Sequence, residues 1–368
     1  MNRSRQLVLV LGMHRSGTSV LTKLLIELGC EVGAEVLPEA PDNPEGFWED
    51  QNVVDLNNEF LFRVDSCWND PHPLPKDVWE SKIAKSYQAK AKKLIDQEYG
   101  QTPVSVLKDP RLCRLLPLWK PALEDRFDQI RCLLMMRHFS EVSQSLAHRN
   151  GFSQHLTTLL WIQHVLLAES DTEAWPRLVL TFPSLIEEPR LQLERVGSFL
   201  GSPPDRDLEK IASSVRPDLR HHTEEEDEKT PDFPAFALAT RIWKSRQDCA
   251  RGEGLNPELT RTDLADFETI LKAIPEDLKG TPREARGPLH AEIARIRDKE
   301  GVLAKVEGLE SELARSHQAC EDLKKENSRL QTLAEKNAAE ISRIKHRLSW
   351  HLSKPLRWIE NVIRPSGR

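Results

Sequence analysis

The feature that most constrains the fold is the stretch at residues 7–25, in which an unbroken apolar run leads through a glycine-bounded loop into a helix. Residues 7–11 carry no polar side chain, which is typical of a parallel strand that is covered on both faces. Apolar residues then recur at helical spacing from Val20 to Leu28, and Gly29 ends the pattern. A strand, a tight loop and a helix in this order predict the first unit of an α/β sheet.

Three further strands are predicted from apolar runs that helical segments separate. The runs end at Lys108, Arg137 and Phe182. Strands that alternate with helices favour a parallel sheet with right-handed crossovers, and ligands of such sheets bind at the carboxyl ends of the strands. Because Arg15, Lys108 and Arg137 all stand at such ends, we expect the three basic side chains to converge on one crevice.

The loop after the first strand has the spacing of a phosphate-binding loop but lacks its lysine. Four residues separate Gly12 from Gly17, and Thr18 and Ser19 follow where a triphosphate-binding loop carries Lys and then Ser or Thr. Without that lysine the loop is poorly suited to a triphosphate, yet the N–H groups at the helix N-terminus still suit a smaller anion. Arg15 adds a forked donor for a tetrahedral oxyanion. The loop therefore predicts binding of a nucleotide 5′-phosphate whose transferable group needs no magnesium, and sulfate is the obvious candidate.

Residues 14–19, His-Arg-Ser-Gly-Thr-Ser, resemble the 5′-phosphosulfate loop of the sulfotransferase family, whose members use 3′-phosphoadenosine 5′-phosphosulfate (PAPS). The second signature of that family is an arginine at a strand end and a serine eight residues later, and Arg137 and Ser145 match it. Arg149 matches a second arginine of the tyrosylprotein branch. Lys108, in Leu-Lys-Asp-Pro-Arg, matches the lysine that this branch places over the transferring sulfuryl group.

The resemblance covers about residues 5–220 and is closest to bacterial family members at residues 43–50, Asn-Pro-Glu-Gly-Phe-Trp-Glu-Asp. Some of those members are fused to, or encoded with, enzymes of cell-surface glycans. The family usually has an acid directly after the first arginine of the second signature, and His138 stands there in this chain. This departure would loosen the turn and leave the phosphate contacts in place.

The resemblance implies a PAPS-dependent sulfotransferase that moves a sulfuryl group to a hydroxyl acceptor without a metal. It also implies a P-loop-like parallel sheet flanked by helices, and a bacterial cell-surface polysaccharide or glycolipid as the acceptor. Arg15 and Lys108 would be catalytic, because they would neutralise the charge of the leaving group. The implied nucleotide-binding residues are Arg15, Ser16, Gly17, Thr18 and Ser19 at the 5′ end, and Arg137, Ser145 and Arg149 at the 3′-phosphate.

The acceptor hydroxyl needs a base, which the family commonly supplies as Glu or His from the segment after the first helix. In this chain Glu49 is the first candidate, Glu45 the second, and Glu39 a further one. An alternative for Glu49 is that it caps the helix predicted to begin near Gln51.

The rest of the chain is predicted to hold three further segments after a core at residues 1–220. Residues 221–287 are mixed, with helices and an acidic loop. Residues 288–348 follow a heptad pattern in which Asn327 takes an a position, and this predicts a long coiled coil and a parallel homodimer, with a single helix folded back on the core as the alternative. Residues 349–368 form a basic tail with Trp350 and Trp358, which suits a membrane surface, a partner protein or a frayed end of the coil.

Composition narrows the function further. The net charge of −6 gives no reason to expect nucleic-acid binding. Six cysteines lie far apart without a C-x-x-C pair, so we expect no disulfide framework and no zinc site. Such cysteine usage favours a cytoplasmic protein, and peripheral attachment to the inner membrane is the alternative. Two competing functions stay open: a P-loop kinase of unusual sequence, which would need Mg-ATP, and a non-catalytic scaffold in a glycan-assembly complex.

Overall fold

A computed structural model describes residues 5–34, 36–37, 46–201, 207–216, 233–252 and 254–273. The candidate bases Glu39 and Glu45, most of the acidic loop, the predicted coiled coil and the basic tail therefore lie outside the described residues. Among the helices that are described, none has the length and apolarity required to cross a membrane.

Within the described part of the chain, four parallel strands form a sheet in the order β2-β1-β3-β4. The strands are β1 (Gln6–Leu11), β2 (Val104–Lys108), β3 (Gln129–Met136) and β4 (Arg177–Thr181). The prediction of a parallel α/β sheet is confirmed. The predicted ends of β3 and β4 were each one residue too long, because Arg137 lies just past β3 and Phe182 already belongs to the next helix.

Helices occupy most of the chain between and after the strands. They are α1 (Thr18–Glu27), α2 (Gln51–Arg63), α3 (Lys82–Glu98), α4 (Leu112–Arg126), α5 (Phe139–Asn150), α6 (Gln154–Asp171), α7 (Phe182–Glu187), α8 (Pro189–Leu200), α9 (Leu208–Ser213), α10 (Pro234–Arg251) and α11 (Pro257–Ala273), with a 3-10 turn at Lys76–Glu80.

The apolar run of β1 is buried on both faces, as its sequence predicts. Leu7, Leu9 and Leu11 pack into a core with helices α2–α6, α10 and α11. Val8 and Val10 point to the opposite face, into a second core with α1, α7, α8 and α9. Alternate residues of one strand thus hold two helical layers on the sheet, and the carboxyl ends of the strands emerge together at one edge.

Aromatic side chains join α10 to the turn that follows β3. The ring of Trp243 lies 5.4 Å from that of His138, and the ring of Phe236 lies 5.9 Å from that of Phe139, measured between centroids. Both α10 residues are buried in the same core as β1. The helix therefore supports the start of α5 directly.

A buried ion cluster fixes α6, α10 and α11 to one another. Arg246 of α10 donates from Nε and Nη2 to the two carboxylate oxygens of Glu169 on α6, at 2.9 and 2.8 Å. Its Nη1 lies 2.8 Å from Oδ2 of Asp263 on α11, and Thr260 donates to Glu169 at 2.8 Å. All four side chains are buried. Asp263 also pairs with Arg241 at 2.8 Å. Because the contact of Arg246 with Glu169 is bidentate, removal of Arg246 would leave the buried carboxylate of Glu169 without its counter-charge.

We expect Arg246→Ala to lower the free energy of unfolding by about 3 kcal/mol, since that is typical for loss of one partner of a buried pair. The matched control is Arg251→Ala at the end of the same helix, where an exposed arginine pairs with Asp248, and it should change the free energy by less than about 1 kcal/mol. Urea unfolding followed by circular dichroism measures both. Equal effects of the two substitutions would contradict a structural role for the cluster.

Candidate functional site

The loop between β1 and α1 depends on two close approaches that only glycine allows. A Cβ atom on Gly12 would lie 2.4 Å from the carbonyl oxygen of Met135, and one on Gly17 would lie 2.3 Å from the ring of Phe182. Gly17 also has φ 91°, and Arg15 has φ 69°. The loop therefore turns tightly against the ends of β3 and β4, as a phosphate-binding loop does.

The N-terminus of α1 offers hydrogen-bond donors to an anion. Its N-cap is Gly17, so no side chain caps the first turn, and the leading N–H groups of a helix have no partner inside the helix. The hydroxyl of Ser16 is buried and has no hydrogen-bond partner among the described residues. The positive end of the helix dipole adds to the attraction of negative charge.

The two sequence signatures meet at a direct contact. Nε of Arg15 donates to the hydroxyl of Ser145 on α5 at 2.8 Å, across 130 residues of chain. Ser145 is buried. The resemblance assigns these residues to the two different phosphates of one nucleotide, and in the structure the two predicted subsites adjoin.

Arg137 is held rigidly just beyond β3. Its Nε donates to Oε2 of Glu141 at 2.6 Å, and both side chains are buried. The guanidinium lies 4.6 Å from the ring centre of Phe182, and the indole of Trp161 donates to the Arg137 carbonyl at 2.9 Å. The arginine is therefore oriented on three sides at the strand edge.

Glu141 is a site residue that sequence reasoning missed. The family pattern places an acid directly after Arg137, where His138 stands. His138 instead caps α5, because its Nδ1 accepts from the backbone N–H of Ser140 at 3.3 Å. The available signal was the spacing of four residues between Arg137 and Glu141, which places the two side chains on one face of a helical turn.

Lys108 joins three segments at the end of β2. Its ammonium donates to Oε1 of Glu49 at 2.6 Å, to the carbonyl of Phe47 at 2.8 Å and to the hydroxyl of Ser19 at 3.2 Å. Both Lys108 and Glu49 are buried. Trp48, between the two acceptors, has φ 56°, which is uncommon for a residue other than glycine. The segment at 46–50 is thus held against the phosphate-binding loop.

Asp50, and not Glu49, caps α2, so the alternative interpretation of Glu49 as the cap was wrong. Oδ1 of Asp50 accepts from the N–H groups of Asn52 and Val53 at 2.9 and 3.3 Å. Its Oδ2 accepts from the hydroxyl of Tyr99 at 2.8 Å. The carboxylate of Glu49 is left to face Lys108.

A buried polar network fixes the turn after Lys108. Asp109 is fully buried and accepts from the side-chain amide of Asn57 at 2.8 Å and from Arg111 at 2.9 Å. Asn57 in turn accepts from the indole of Trp119 at 2.8 Å. Arg111 also lies 3.7 Å from the second carboxylate oxygen of Glu49. These contacts explain the Lys-Asp-Pro-Arg sequence as a rigid support for Lys108 and Glu49.

His14 stands in the loop beside a group of rings that sequence reasoning did not foresee. Its ring centre lies 4.4 Å from that of Trp68 and 6.2 Å from that of His164. Burial, the charges of Arg111, Lys108 and Arg149, and the neighbouring His164 hold the pKa of His14 well below its usual value. No local pattern marks Trp68, because it reaches the loop from the segment after α2.

The structure brings most of the predicted site residues to one edge of the sheet. Arg149 lies on the exposed last turn of α5. No three His, Cys, Asp or Glu side chains are grouped as a metal site within the described ranges. The residues gathered at this edge are Arg15, Ser16, Gly17, Thr18, Ser19, Glu49, Lys108, Arg137 and Ser145.

Comparison with known proteins adds little. No family model and no curated protein matches the chain. Among solved structures the chain is similar to the sulfotransferase domain of an olefin synthase from Synechococcus PCC 7002, with 15% identity, a TM-score of 0.33, and coverage of 75% of this chain and 98% of that domain. A likeness this weak assigns neither a fold family nor an activity.

We expect Gly17→Ala to destabilise the protein by about 1–3 kcal/mol beyond the left-handed backbone cost, because its Cβ would overlap Phe182. The matched control is Gly151→Ala. Gly151 has φ 69° and open space around its Cβ position, so that substitution should cost only about 1–2 kcal/mol. Thermal unfolding of both variants measures the difference. Equal melting temperatures would contradict the close approach of the loop to α7.

The buried His164 should make stability depend on pH. Burial, aided by Arg114, lowers its pKa to about 3, so between about pH 6.5 and 3 the unfolded chain binds a proton that the folded chain does not. Stability contributed by the neutral ring is present above pH 6.5 and falls by about 1.4 kcal/mol per pH unit below it. In urea unfolding at pH 7, 6 and 5, the free energy of unfolding should depend less steeply on pH in His164→Gln than in the control His148→Gln, which changes an exposed histidine. Parallel slopes would contradict burial of a neutral His164.

Proposed function

We propose that the protein transfers a sulfuryl group from PAPS to a hydroxyl group of an acceptor. The observation that supports this best is the contact of Arg15 with Ser145 at 2.8 Å. It joins a phosphate-binding loop that lacks the triphosphate lysine to the second signature of the resemblance. A nucleotide with two separate phosphate groups, one at each end, suits adjoining subsites of this kind.

The loop and α1 would bind the 5′ end of the donor. The amides of residues 17–19, the buried hydroxyl of Ser16 and the guanidinium of Arg15 would be donors for the 5′-phosphosulfate, while the Ser16 N–H already donates to the carbonyl of Met13 at 3.1 Å. Arg137, Ser145 and Arg149 would bind the 3′-phosphate. The contacts of the Arg137 guanidinium with Glu141 and the ring of Phe182 favour this, because a preorganised donor loses little freedom on binding. Binding energy from the 3′-phosphate is remote from the reacting sulfur and can position it.

In the transfer itself, a bond forms between the acceptor oxygen and sulfur while the bond from sulfur to the bridging 5′-phosphate oxygen breaks. Negative charge grows on that bridging oxygen, and positioning and charge stabilisation dominate reactions of this loose type. Lys108 and Arg15 would neutralise the charge. The contact of Lys108 with Ser19 in the first turn of α1 supports its role at the 5′ end.

The acceptor must lose its hydroxyl proton, and the resemblance assigns this step to Glu49, with Glu45 second. The hydrogen bond between Glu49 and Lys108 puts that carboxylate beside a predicted catalytic group. The acceptor would be a bacterial cell-surface glycan or glycolipid, as the match at residues 43–50 indicates. A cytoplasmic homodimer joined through residues 288–348, with the tail on a membrane surface or a partner protein, completes the proposal.

Calorimetry with 3′,5′-ADP, the desulfated product, tests the nucleotide site. We expect micromolar binding without magnesium and about a 10–100-fold weaker affinity in Arg137→Ala, since a hydrogen bond to a charged group is worth about 1.5–3 kcal/mol. The control is Arg190→Ala, an exposed arginine on α8, which should bind normally. Tight binding of Mg-ATP with no binding of 3′,5′-ADP would favour the kinase alternative.

Turnover is tested with ³⁵S-labelled PAPS and a lysate of the host. Wild-type protein should label an acceptor, and Lys108→Met should lose most of the labelling, because the charge of Lys108 would act on the transition state. Binding of the nucleotide with no labelled product in any fraction would favour the scaffold alternative.

A further inference from the structure

His14 is a polar group at the proposed site to which the resemblance assigns no role. It occupies the phosphate-binding loop between Met13 and Arg15, and its side chain is half-buried. Its Nε2 is buried and has no hydrogen-bond partner among the described residues. A buried polar atom without a partner is costly to a fold, and a bound water, a ligand or a role in catalysis are among the reasons for which proteins keep one.

The ring of His14 is held between an aromatic wall and a second histidine. On one side the ring of Trp68 lies 4.4 Å away, and Trp68 is itself 5.7 Å from Phe152. On the other side the ring of His164 meets it edge-on at 6.2 Å. Trp68 and Phe152 are half-buried, so the wall faces partly outward. An acceptor that lies on this wall would reach the exposed edge of the His14 ring.

His164 is fixed in one neutral form. Its Nδ1 lies 2.7 Å from the carbonyl oxygen of Leu160 and therefore carries the proton, because a carbonyl can only accept. The lone pair then lies on Nε2, which is buried and unpartnered within the described part of the chain. Two unpartnered Nε2 atoms thus belong to neighbouring rings. A movement that brings them into hydrogen-bond distance would pair an N–H of His14 with the lone pair of His164.

Glu49 is less suited to taking a proton than the resemblance implies. Its carboxylate accepts from Lys108 at 2.6 Å, and both groups are buried. Protonation of Glu49 would remove the counter-charge from a buried ammonium, and an uncompensated buried charge is strongly destabilising. The carboxylate therefore serves best to orient Lys108.

We propose that the imidazole of His14 takes the proton from the acceptor hydroxyl and that His164 is the positioning residue behind it. This proposal rests on the proposed sulfuryl transfer. As the acceptor oxygen bonds to sulfur, the bond from sulfur to the bridging oxygen breaks, and its electron pair stays on the 5′-phosphate of 3′,5′-ADP. The acceptor proton moves to Nδ1 of His14, whose Nε2–H donates to His164. A catalytic base that is oriented by a third group is a common arrangement in enzymes.

The charges around His14 make its pKa depend on whether PAPS is bound. Burial lowers its pKa most. The groups that face it from the packed elements, and that also lower its pKa, are Arg111 at the N-cap of α4, His164 on α6, Lys108 at the end of β2 and Arg149 on α5. The ring is therefore neutral and able to accept a proton at neutral pH. A bound donor carries several negative charges, which oppose these cations and raise the pKa of His14 toward the range in which a base is effective.

The experiment measures consumption of PAPS with water as the acceptor, which needs no knowledge of the natural acceptor, together with binding of 3′,5′-ADP. We expect His14→Gln to bind 3′,5′-ADP within about threefold of wild type and to lose about 100-fold in kcat, a typical effect of removing a general base. The acidic limb of the pH–rate profile should disappear in the same variant. The matched control, His148→Gln on the exposed face of α5, should keep both the rate and the limb.

Two further measurements separate catalysis from folding. His14→Ala should regain part of its rate when imidazole is added, which a purely structural role would not allow. In wild-type protein, the NMR titration of the His14 ring should move to higher pH when 3′,5′-ADP is bound. An unchanged titration, or a rate that imidazole does not restore, would overturn the proposal even if His14→Gln failed to fold.

The failure of this proposal is distinct from failure of the sulfotransferase function. Suppose that wild-type protein consumes PAPS, that His14→Gln keeps the rate and the acidic limb, and that Glu49→Gln loses both. The sulfotransferase function would then stand, and Glu49 would be the base. Wild-type protein that binds 3′,5′-ADP and consumes no PAPS, with water or with lysate present, would overturn both.

Discussion

The buried ammonium of Lys108 is the group on which the geometry of the site depends. A charged amine away from water is tolerated only when its protons are hydrogen-bonded and its charge is balanced. Lys108 meets both conditions with acceptors from Ser19, Phe47 and Glu49. Because these acceptors come from α1 and from the segment at 46–50, one side chain fixes the end of β2, the phosphate-binding loop and the segment above it relative to one another.

The same edge of the sheet carries paired charges and not a bare positive surface. Lys108 lies against Glu49, Arg137 against Glu141, and Arg111 against Asp109. Such pairing leaves none of these three cations with an uncompensated charge. In the proposed function a phosphate would compete with these carboxylates, and discrimination between anions would rest on geometry and on the amides of α1 more than on net charge.

The local parts of this arrangement were predictable from sequence, and the long-range parts were not. The unbroken apolar strand and the Gly12–Gly17 loop are readable within a short window, because burial and turn spacing act locally, and the Arg137–Ser145 pair was given by the family resemblance. The Lys108–Glu49 pair spans 59 residues, and the contact of His14 with Trp68 depends on where the chain turns after α2. These depend on packing that no local period encodes. The pair of Arg137 and Glu141 is local, since only four residues separate its members, and the sequence could have predicted it. The coiled coil, the tail and the role of Glu49 stay predictions.

The aromatic contacts of α10 affect how much of the chain a functional fragment must contain. Trp243 and Phe236 cover His138 and Phe139, directly after Arg137, yet they lie beyond the last residue of the family resemblance. A protein shortened to the resembling portion would bare these rings to water at the turn that carries the arginine. Exposed apolar surface of that kind promotes aggregation, so the boundary of sequence likeness is not the boundary of a viable fragment.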